Sequence, residues 1–563
     1  MRHLIPAVLT ASLGFPGVAA ACGGFFCFDE PIDQSKERII FAIDEDKGEV
    51  DVHIQIFYQG AAEEFAWIVP MPALPEVGLS TDVLFDRLAQ RTNPRFNLEW
   101  TFSGDCGWNN DTFFNDDMDG APPSAGGMPE ADSGAGGVTV VAQTQVGPYD
   151  QATLQATSSE LLLEWLNDNG YQLPDSLNSV LAPYIAGGSY FVALKLQNDK
   201  DVGDIAPVRM EYAASKAMIP LVLTSVAATP DMRLEPYVLS SARAVPENYL
   251  HVRINEAAIN WFNGGQNYDD VITQAANEAG GQAFATDFAG STSPFRDMLS
   301  TQGMNTADIR AAASPGEVMD ALMWSGIPNN DTILTLLQTY LPMPEAARSA
   351  GIRDTDFYNC IPCYSQYTEG MTWDAGGFAD AIEAEIIEPM DEANELFRRH
   401  SYITRLTSSM SPEEMTLDPF FVINPDMPDK SNQYRAEVEV HCDDGSSPWE
   451  SRRTLTLNDG RQIHVPSDEW LGANGMSYDD FLELLGANAA MIIERTSASG
   501  LPEALVDASG DIDNAIDEHN RRYGPGGDLT GDAAEGCGCA AGGVAASGWF
   551  ALAGLAAVRR RRR

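Results

Sequence analysis

A regular alternation of apolar positions near the N-terminus is the feature that most limits the fold of this chain. The apolar residues at every second position are Val50, Val52, Ile54, Ile56 and Tyr58. A period of two places successive side chains on opposite faces of a strand, so the pattern predicts a β-strand with one buried face. Residues 38–44 predict a preceding strand, and residues 46–48, Asp-Lys-Gly, predict the hairpin turn between the two.

Further elements are predicted along the whole chain. The predicted strands are residues 65–69, 138–146, 189–197, 208–212, 219–227, 234–239, 250–254, 420–423, 434–440 and 453–457. The predicted helices are residues 81–91, 161–167, 176–181, 268–279, 315–324, 332–341, 378–399 (kinked or split at Pro389) and 478–495. This order predicts an α+β fold with a strand-rich N-terminal half that has few helices and a more helical C-terminal half.

The order of elements and one break in composition predict the domain organisation. Residues 22–264 are the predicted strand-rich α+β domain, and residues 265–535 are the mixed, more helical region. Residues 118–137 are rich in Gly, Pro and Ala. A segment of that composition cannot bury enough apolar surface to order itself, so a flexible insertion is predicted there.

Residues 1–21 are typical of a secretory signal peptide. A basic start precedes the apolar stretch 4–18 and three alanines, and signal peptidase is predicted to cleave between Ala21 and Cys22. A buried N-terminal helix is one alternative, which the Gly and Pro residues of the stretch disfavour. A lipoprotein signal is the other, and it is disfavoured by Ala19, where a large aliphatic residue is usual.

Residues 536–563 predict a second targeting segment. Cys537 and Cys539 precede the uncharged residues 540–558 and the five arginines at 559–563. At about 1.5 Å per residue the uncharged stretch spans roughly one hydrocarbon core, which predicts one C-terminal transmembrane segment with its arginines on the cytoplasmic side. A small-residue core helix followed by a basic tail is the alternative.

The combination of a Cys pair, an apolar span and an Arg cluster resembles the myxobacterial C-terminal sorting tail (the MYXO-CTERM type). The resemblance covers residues 536–563. It implies an intramembrane sorting protease as a partner, processing and lipid modification at Cys537 or Cys539, and transfer from a membrane-associated precursor to the cell surface.

The charge of the chain restricts its partners. With 34 Lys and Arg against 82 Asp and Glu, the formal net charge is −48 at pH 7. A surface this acidic repels phosphate backbones, which excludes nucleic acid as a partner. Cations, basic partners or a saline medium fit it better.

Six cysteines lie between the two targeting segments. They are Cys22, Cys27, Cys106, Cys360, Cys363 and Cys442. An even number in an exported chain predicts up to three disulfides, with fifteen pairings among which the sequence does not choose. The C-x-x-C pair at 360 and 363 fits a structural disulfide, a redox dithiol, or a zinc site completed by His441 and Cys442. The flanking residues lack the preceding strand and following helix of a thioredoxin-like unit, which favours the structural disulfide.

One acidic segment has the spacing of a calcium ligand set. Asn115, Asp117 and Asp119 alternate before a glycine, as in the first half of a calcium-binding loop. The twelfth position, where such loops carry Glu, is Gly126, and no helices are predicted on either side. The segment is therefore a weak calcium candidate beside the alternative of a chance match in an acidic chain, and no other cofactor is predicted.

Several short segments resemble an uncharacterised bacterial family, domain of unknown function 2330. They are Ala21-Cys-Gly-Gly-Phe-Phe-Cys27, residues 37–41, 65–72, 147–150, 165–171 and 404–415, and Asp418-Pro419. The resemblance covers most of residues 22–465. It implies an exported surface protein and supplies no catalytic residues.

The sequence contains no phosphate-binding G-x-x-x-x-G-K-[ST] loop, no H-E-x-x-H and no G-x-S-x-G. This favours a cell-surface protein without enzymatic activity that acts through binding or envelope structure. An exported hydrolase with a dispersed active site is the alternative, because catalytic groups also assemble from distant positions. A redox partner acting through Cys360 and Cys363 is a third hypothesis.

Overall fold

The computed structural model describes residues 34–57, 65–106, 138–171, 173, 177–197, 205–328, 330–442 and 446–525. Residues 1–21, 118–137 and 536–563 lie outside these ranges, so the signal peptide, the insertion and the transmembrane segment stay predictions. Among the helices of the described residues, none has the length and apolar character that crossing a membrane requires.

The described residues form a strand-rich mixture of strands and helices. The strands are β1 (Gln34–Asp44), β2 (Glu49–Ile56), β3 (Ala66–Met71), β4 (Glu76–Leu79), β5 (Arg95–Ser103), β6 (Val138–Val146), β7 (Tyr149–Ala156), β8 (Tyr190–Leu196), β9 (Val208–Ala213), β10 (Ala217–Met218), β11 (Ala228–Ser240), β12 (Arg243–Pro246), β13 (Leu250–Ile254), β14 (Ala283–Ser291), β15 (Tyr402–Met410), β16 (Phe420–Asn424), β17 (Gln433–His441), β18 (Arg452–Leu457), β19 (Gln462–Val465), β20 (Ala490–Arg495) and β21 (Glu503–Asp507). The helices are α1 (Asp82–Thr92), α2 (Ser159–Asp168), α3 (Asn178–Ala186), α4 (Leu221–Thr224), α5 (Tyr268–Glu278), α6 (Ala307–Ala311), α7 (Pro315–Trp324), α8 (Asp331–Tyr340), α9 (Glu345–Ser349), α10 (Asp354–Asn359), α11 (Ser365–Thr368), α12 (Ala375–Ile382), α13 (Glu388–Arg399), α14 (Asp468–Ala473), α15 (Tyr478–Glu483) and α16 (Ser509–Tyr523).

A ten-stranded sheet in the order β21-β20-β13-β14-β15-β11-β1-β2-β9-β4 runs through the protein. The pairs β1–β11 and β13–β14 are parallel, and the other neighbours are antiparallel. Smaller sheets have the orders β10-β16-β12, β19-β18-β17-β5 and β3-β8-β7-β6. The large sheet takes strands from both sides of residue 264, so the two predicted regions share it.

Hydrophobic clusters define the layers around this sheet. One cluster lies between the large sheet and the β3-β8-β7 strands, and α2 and α3 cover the outer face of those strands. Helices α6 to α13 pack with α1 on the opposite face of β1, β11 and β15. A separate cluster joins β13, β14 and β20 to α5, α15, α16 and the β17-β18-β19 strands.

The predicted hairpin is confirmed, because β1 and β2 pair in antiparallel register around a turn at residues 45–48. The prediction of a single buried face is wrong. Asp51, His53 and Gln55 are also buried, on the face opposite the apolar residues of β2. Helix α13 lies over this polar face, where Arg399 approaches Asp51 to 3.7 Å.

Two other predicted elements differ in type of secondary structure. Residues 219–227 were expected to form a strand but contain helix α4 followed by turns. Residues 478–495 were expected to form one helix but divide into α15 and β20, with Gly486 between them in the left-handed region at φ 58°. The β-branched pair Ile492 and Ile493 suits a strand better than a helix. This second difference places Glu494 on the central sheet.

The helix predicted at 378–399 is divided, but not at Pro389. A π-helical turn at Glu383–Ile387 separates α12 from α13. Pro389 lies in the first turn of α13, where a residue without a backbone N–H is well tolerated.

Candidate functional site

A cavity of about 610 Å³ opens beside the β20-β13-β14 part of the large sheet. Its walls come from β12, β13, β14 and β20, from the segment 427–430, and from residues 501–504. The volume lies within the range of about 300–1,000 Å³ that is typical of small-molecule sites. Several ionisable and hydrogen-bonding side chains line it, so this cavity is the candidate functional site.

Arg243 is the first polar group of interest in the wall. Its side chain is only 6 % exposed, and one terminal nitrogen donates a hydrogen bond to the Pro428 carbonyl at 2.8 Å. Its Nε has no hydrogen-bond partner, and no carboxylate of the described residues forms an ion pair with it. Burial lowers the pKa of Arg243, and the charges of Glu494 and Asp429 act against that shift.

Lys430 and Glu256 supply a second cation and a second acid. Lys430 is held in place by its backbone, which exchanges two 2.8 Å hydrogen bonds with Ala289 of β14. Its Nζ lies 4.6 Å from the ring centroid of Tyr434, a cation–π contact. Burial lowers the pKa of Lys430 and raises the pKa of Glu256, while the attraction between the two opposes both shifts.

His251, Glu494 and Thr286 form a row across three neighbouring strands. His251 of β13 lies directly opposite Glu494 of β20, with its Nδ1 2.8 Å from a Glu494 carboxylate oxygen. The other ring nitrogen, Nε2, is 2.9 Å from the Thr286 hydroxyl on β14. Burial lowers the pKa of His251, which favours the neutral ring. Because a carboxylate only accepts, we assign the ring proton to Nδ1, and Nε2 then accepts the threonine hydroxyl.

An irregularity of β14 directs Thr286 towards the cavity. The register of β14 against β15 shifts between Thr286 and Phe288, so Asp287 is an extra residue in the strand. Such a bulge re-aims the side chains beside it. Asp287 is fully buried and ion-paired with Arg405 at 3.1 Å, and it also accepts a hydrogen bond from Tyr268. These contacts fix the backbone next to Thr286.

The structure resolves part of the cysteine pairing. Cys106 and Cys442 form a disulfide that joins the ends of β5 and β17, and Cys360 and Cys363 form a second. The zinc set of Cys360, Cys363, His441 and Cys442 is therefore wrong, because its cysteines belong to two different disulfides. The C-x-x-C pair follows helix α10 instead of a strand.

The remaining predicted site residues lie outside the described ranges. They are Ala21, Cys22, Cys27, Asn115, Asp117, Asp119, Cys537 and Cys539. In the described part of the chain, no group of three or more His, Cys, Asp and Glu residues could hold a metal ion. None of the predicted site residues lines the cavity.

Sequence reasoning missed the cavity because its polar residues are far apart in the chain. His251 was in a predicted strand, and that strand is confirmed. Glu494 was in a predicted helix, which left no reason to place it opposite His251. The β-branched pair before Glu494 was the signal that could have corrected this.

The described residues form an α+β fold, and the cavity is a candidate site lined by both polar and apolar side chains. The sequence model of an uncharacterized protein family conserved in bacteria, DUF2330, matches residues 16–300. This is half of the chain, which therefore belongs to that family. The matched residues include Arg243, His251 and Thr286, whereas Lys430 and Glu494 follow the match. No curated protein and no solved structure matches the chain significantly.

Proposed function

We propose that this chain is an exported, cell-surface-displayed binding protein that holds a small organic carboxylate in the cavity. The observation that carries this proposal is the buried Arg243 guanidinium, whose Nε has no hydrogen-bond partner in the part of the chain that the structure describes. A buried cation with an unsatisfied N–H group is unfavourable, and a carboxylate ligand lowers that cost with charge-assisted hydrogen bonds. The chain has a net charge of −48 and should repel anions over most of its surface, so a buried cation without an ion-pair partner among the described residues provides a specific site for one.

Apolar residues in the rest of the lining support a ligand with an apolar body. Ile254, Met427, Met491 and Leu501 line the cavity together with the charged residues. Methionine side chains adapt to ligands of different shape. A carboxylate on an alkyl or aryl group therefore fits the site better than an inorganic anion.

Export and display are proposed from the two ends of the sequence. The signal peptide ending at Ala21 and the tail at 536–563 support them, with signal peptidase and an intramembrane sorting protease as partners. The Cys106–Cys442 disulfide is in keeping with an oxidising compartment. The alternative is a structural role in the cell envelope, which would require no ligand.

Isothermal titration calorimetry of the purified exported protein with hexanoate tests the binding proposal, with 1-hexanol as the uncharged control. We expect hexanoate to bind, hexanol to bind at least 10-fold more weakly, and Arg243→Met to weaken hexanoate by about 10- to 100-fold. Arg353→Met, which alters an exposed Arg–Asp pair, is the matched control and should bind as the wild type does. Absence of hexanoate binding, or equal affinity in Arg243→Met, would contradict the proposal.

A further inference from the structure

We propose that Thr286 and His251, oriented by Glu494, act as a nucleophile and a general base that hydrolyse esters of small carboxylic acids in this cavity. This inference rests on the proposed function, because the cavity must admit the acid part of the ester. It goes beyond that function by assigning a reaction to the site.

The order of contacts is the one that hydrolytic triads require. A hydroxyl contacts one imidazole nitrogen, and a carboxylate contacts the other and fixes the tautomer. Both distances are already within hydrogen-bond range, and all three side chains line the cavity. The Thr286 hydroxyl is therefore in contact with its base at the wall of the cavity in which an ester would bind.

A second cluster of a hydroxyl, a histidine and a carboxylate occurs in the chain, but there the hydroxyl and the carboxylate contact the opposite ring nitrogens. The Ser80 hydroxyl is 2.7 Å from Nδ1 of His53, and an oxygen of Asp51 is 3.4 Å from Nε2. Asp51 is also bound by Arg209 at 2.8 Å, and Ser80 does not line the cavity. Ser80 is therefore a matched control hydroxyl for every experiment on Thr286.

The proposed reaction has two steps and needs only water as co-reactant. In the first, Thr286 Oγ1 attacks the ester carbonyl carbon, its proton passes to His251 Nε2, and the carbon–alkoxide bond breaks as that proton moves to the leaving alcohol. In the second, water attacks the acyl-threonine, His251 takes the water proton and returns it to Oγ1, and the carboxylic acid is released. Glu494 is a positioning residue, because it contacts the ring and not the substrate.

The cations of the cavity suit the charges that this reaction develops. Arg243 and Lys430 line the same space as Thr286, and each tetrahedral intermediate carries a negative oxygen. The acid product is also the kind of ligand that Arg243 is proposed to hold. Hexanoate should accordingly inhibit the reaction competitively.

Covalent labelling of the mature protein with an alkyl fluorophosphonate, read by peptide mass spectrometry, is the direct test. The Thr286 oxygen would displace fluoride from phosphorus and leave a stable phosphonyl ester. We expect the label on the peptide containing Thr286, its loss in Thr286→Val and His251→Asn, and its retention in Thr286→Ser and Ser80→Ala. An unlabelled wild type, or a label that persists in Thr286→Val, would overturn the inference.

Hydrolysis of p-nitrophenyl hexanoate separates a catalytic from a structural role. Thr286→Val and His251→Asn should lower kcat by about 10²- to 10⁴-fold while circular dichroism shows an unchanged fold. The charged groups that face His251 are Glu494, Arg243 and Arg253. Burial lowers the pKa of His251 by more than Glu494 raises it, and the two arginines lower it further, so the pKa lies below the ordinary 6.5. The wild-type rate should rise with pH through a midpoint below 6.5, and Glu494→Gln should change that profile. A midpoint above 6.5, or variants as active as the wild type, would refute the role of His251.

Binding and catalysis can fail separately. Hexanoate binding without labelling or hydrolysis would end the catalytic inference and leave the binding proposal intact. Absence of hexanoate binding to the wild-type protein would contradict the binding proposal itself.

Discussion

Replacing Arg405 by Met should destabilise the protein strongly, because this side chain neutralises the buried acid next to the cavity. Arg405 is 3 % exposed and lies 3.1 Å from Asp287 and 3.4 Å from Glu235. Glu235 keeps Lys36 at 2.8 Å and Arg38 at 3.1 Å after the change. For Asp287, Arg405 is the one cation within 4.0 Å among the described residues. The variant therefore leaves Asp287 buried without its counter-ion.

The expected loss is about 3–5 kcal/mol, the usual result of removing one partner of a buried ion pair. Burial already raises the pKa of Asp287, and Arg405 opposes that shift. Without Arg405 the folded-state pKa rises further above the unfolded one. A group shifted in this direction favours the fold at low pH and loses that contribution as the pH rises through the folded pKa. The destabilisation should therefore be smaller at pH 5 than at pH 8.

Urea unfolding followed by tryptophan fluorescence at both pH values measures this effect. Adding Asp287→Asn to Arg405→Met should recover at least half of the loss at pH 8, because the unpaired charge is gone. Arg353→Met is the surface control and should change stability by less than about 1 kcal/mol, as is usual for exposed pairs. A loss below about 1 kcal/mol in Arg405→Met, or an equal loss at the two pH values, would show that Arg405 does not neutralise Asp287 in the folded protein.

Three further predictions concern the disulfides and the two ends. Graded reduction with mass spectrometry should open Cys360–Cys363 before Cys106–Cys442, since Cys363 is exposed and Cys442 is buried; the reverse order would contradict this. N-terminal sequencing of the exported protein should begin at Cys22, and a start at Met1 would exclude signal cleavage. Replacing Cys537 and Cys539 with Ala should trap full-length precursor in the membrane fraction, whereas intact Arg563 on surface-exposed protein would identify a plain anchor.

Prediction from sequence was most accurate where a residue pattern is compatible with only one type of secondary structure. The alternation in β2 and the turn before it determined the hairpin, because a one-residue slip would have moved every apolar side chain to the opposite face, where α13 lies. The burial of Asp51 could not be predicted from its own strand, since Arg399 of helix α13, which packs against it, lies more than 300 residues away in sequence. The residue pattern within a strand does not indicate which distant element packs on its polar face.

The site was less predictable than the fold for a related reason. A short apolar run such as that before Glu494 fits either a buried helix or a strand, and only its sheet partners decide. Once β20 pairs with β13, Glu494 lies opposite His251 and the row with Thr286 follows. The unpaired Nε of Arg243 likewise depends on the position of the segment 427–430, which no local pattern indicates.

A crystal structure of the mature protein grown with hexanoate would show where in the cavity a carboxylate binds. We expect the carboxylate within hydrogen-bond distance of the Arg243 Nε and the alkyl chain against Met427 and Met491, with the Thr286–His251–Glu494 row unchanged. An empty cavity at a saturating concentration of hexanoate, or hexanoate bound away from Arg243, would contradict this expectation.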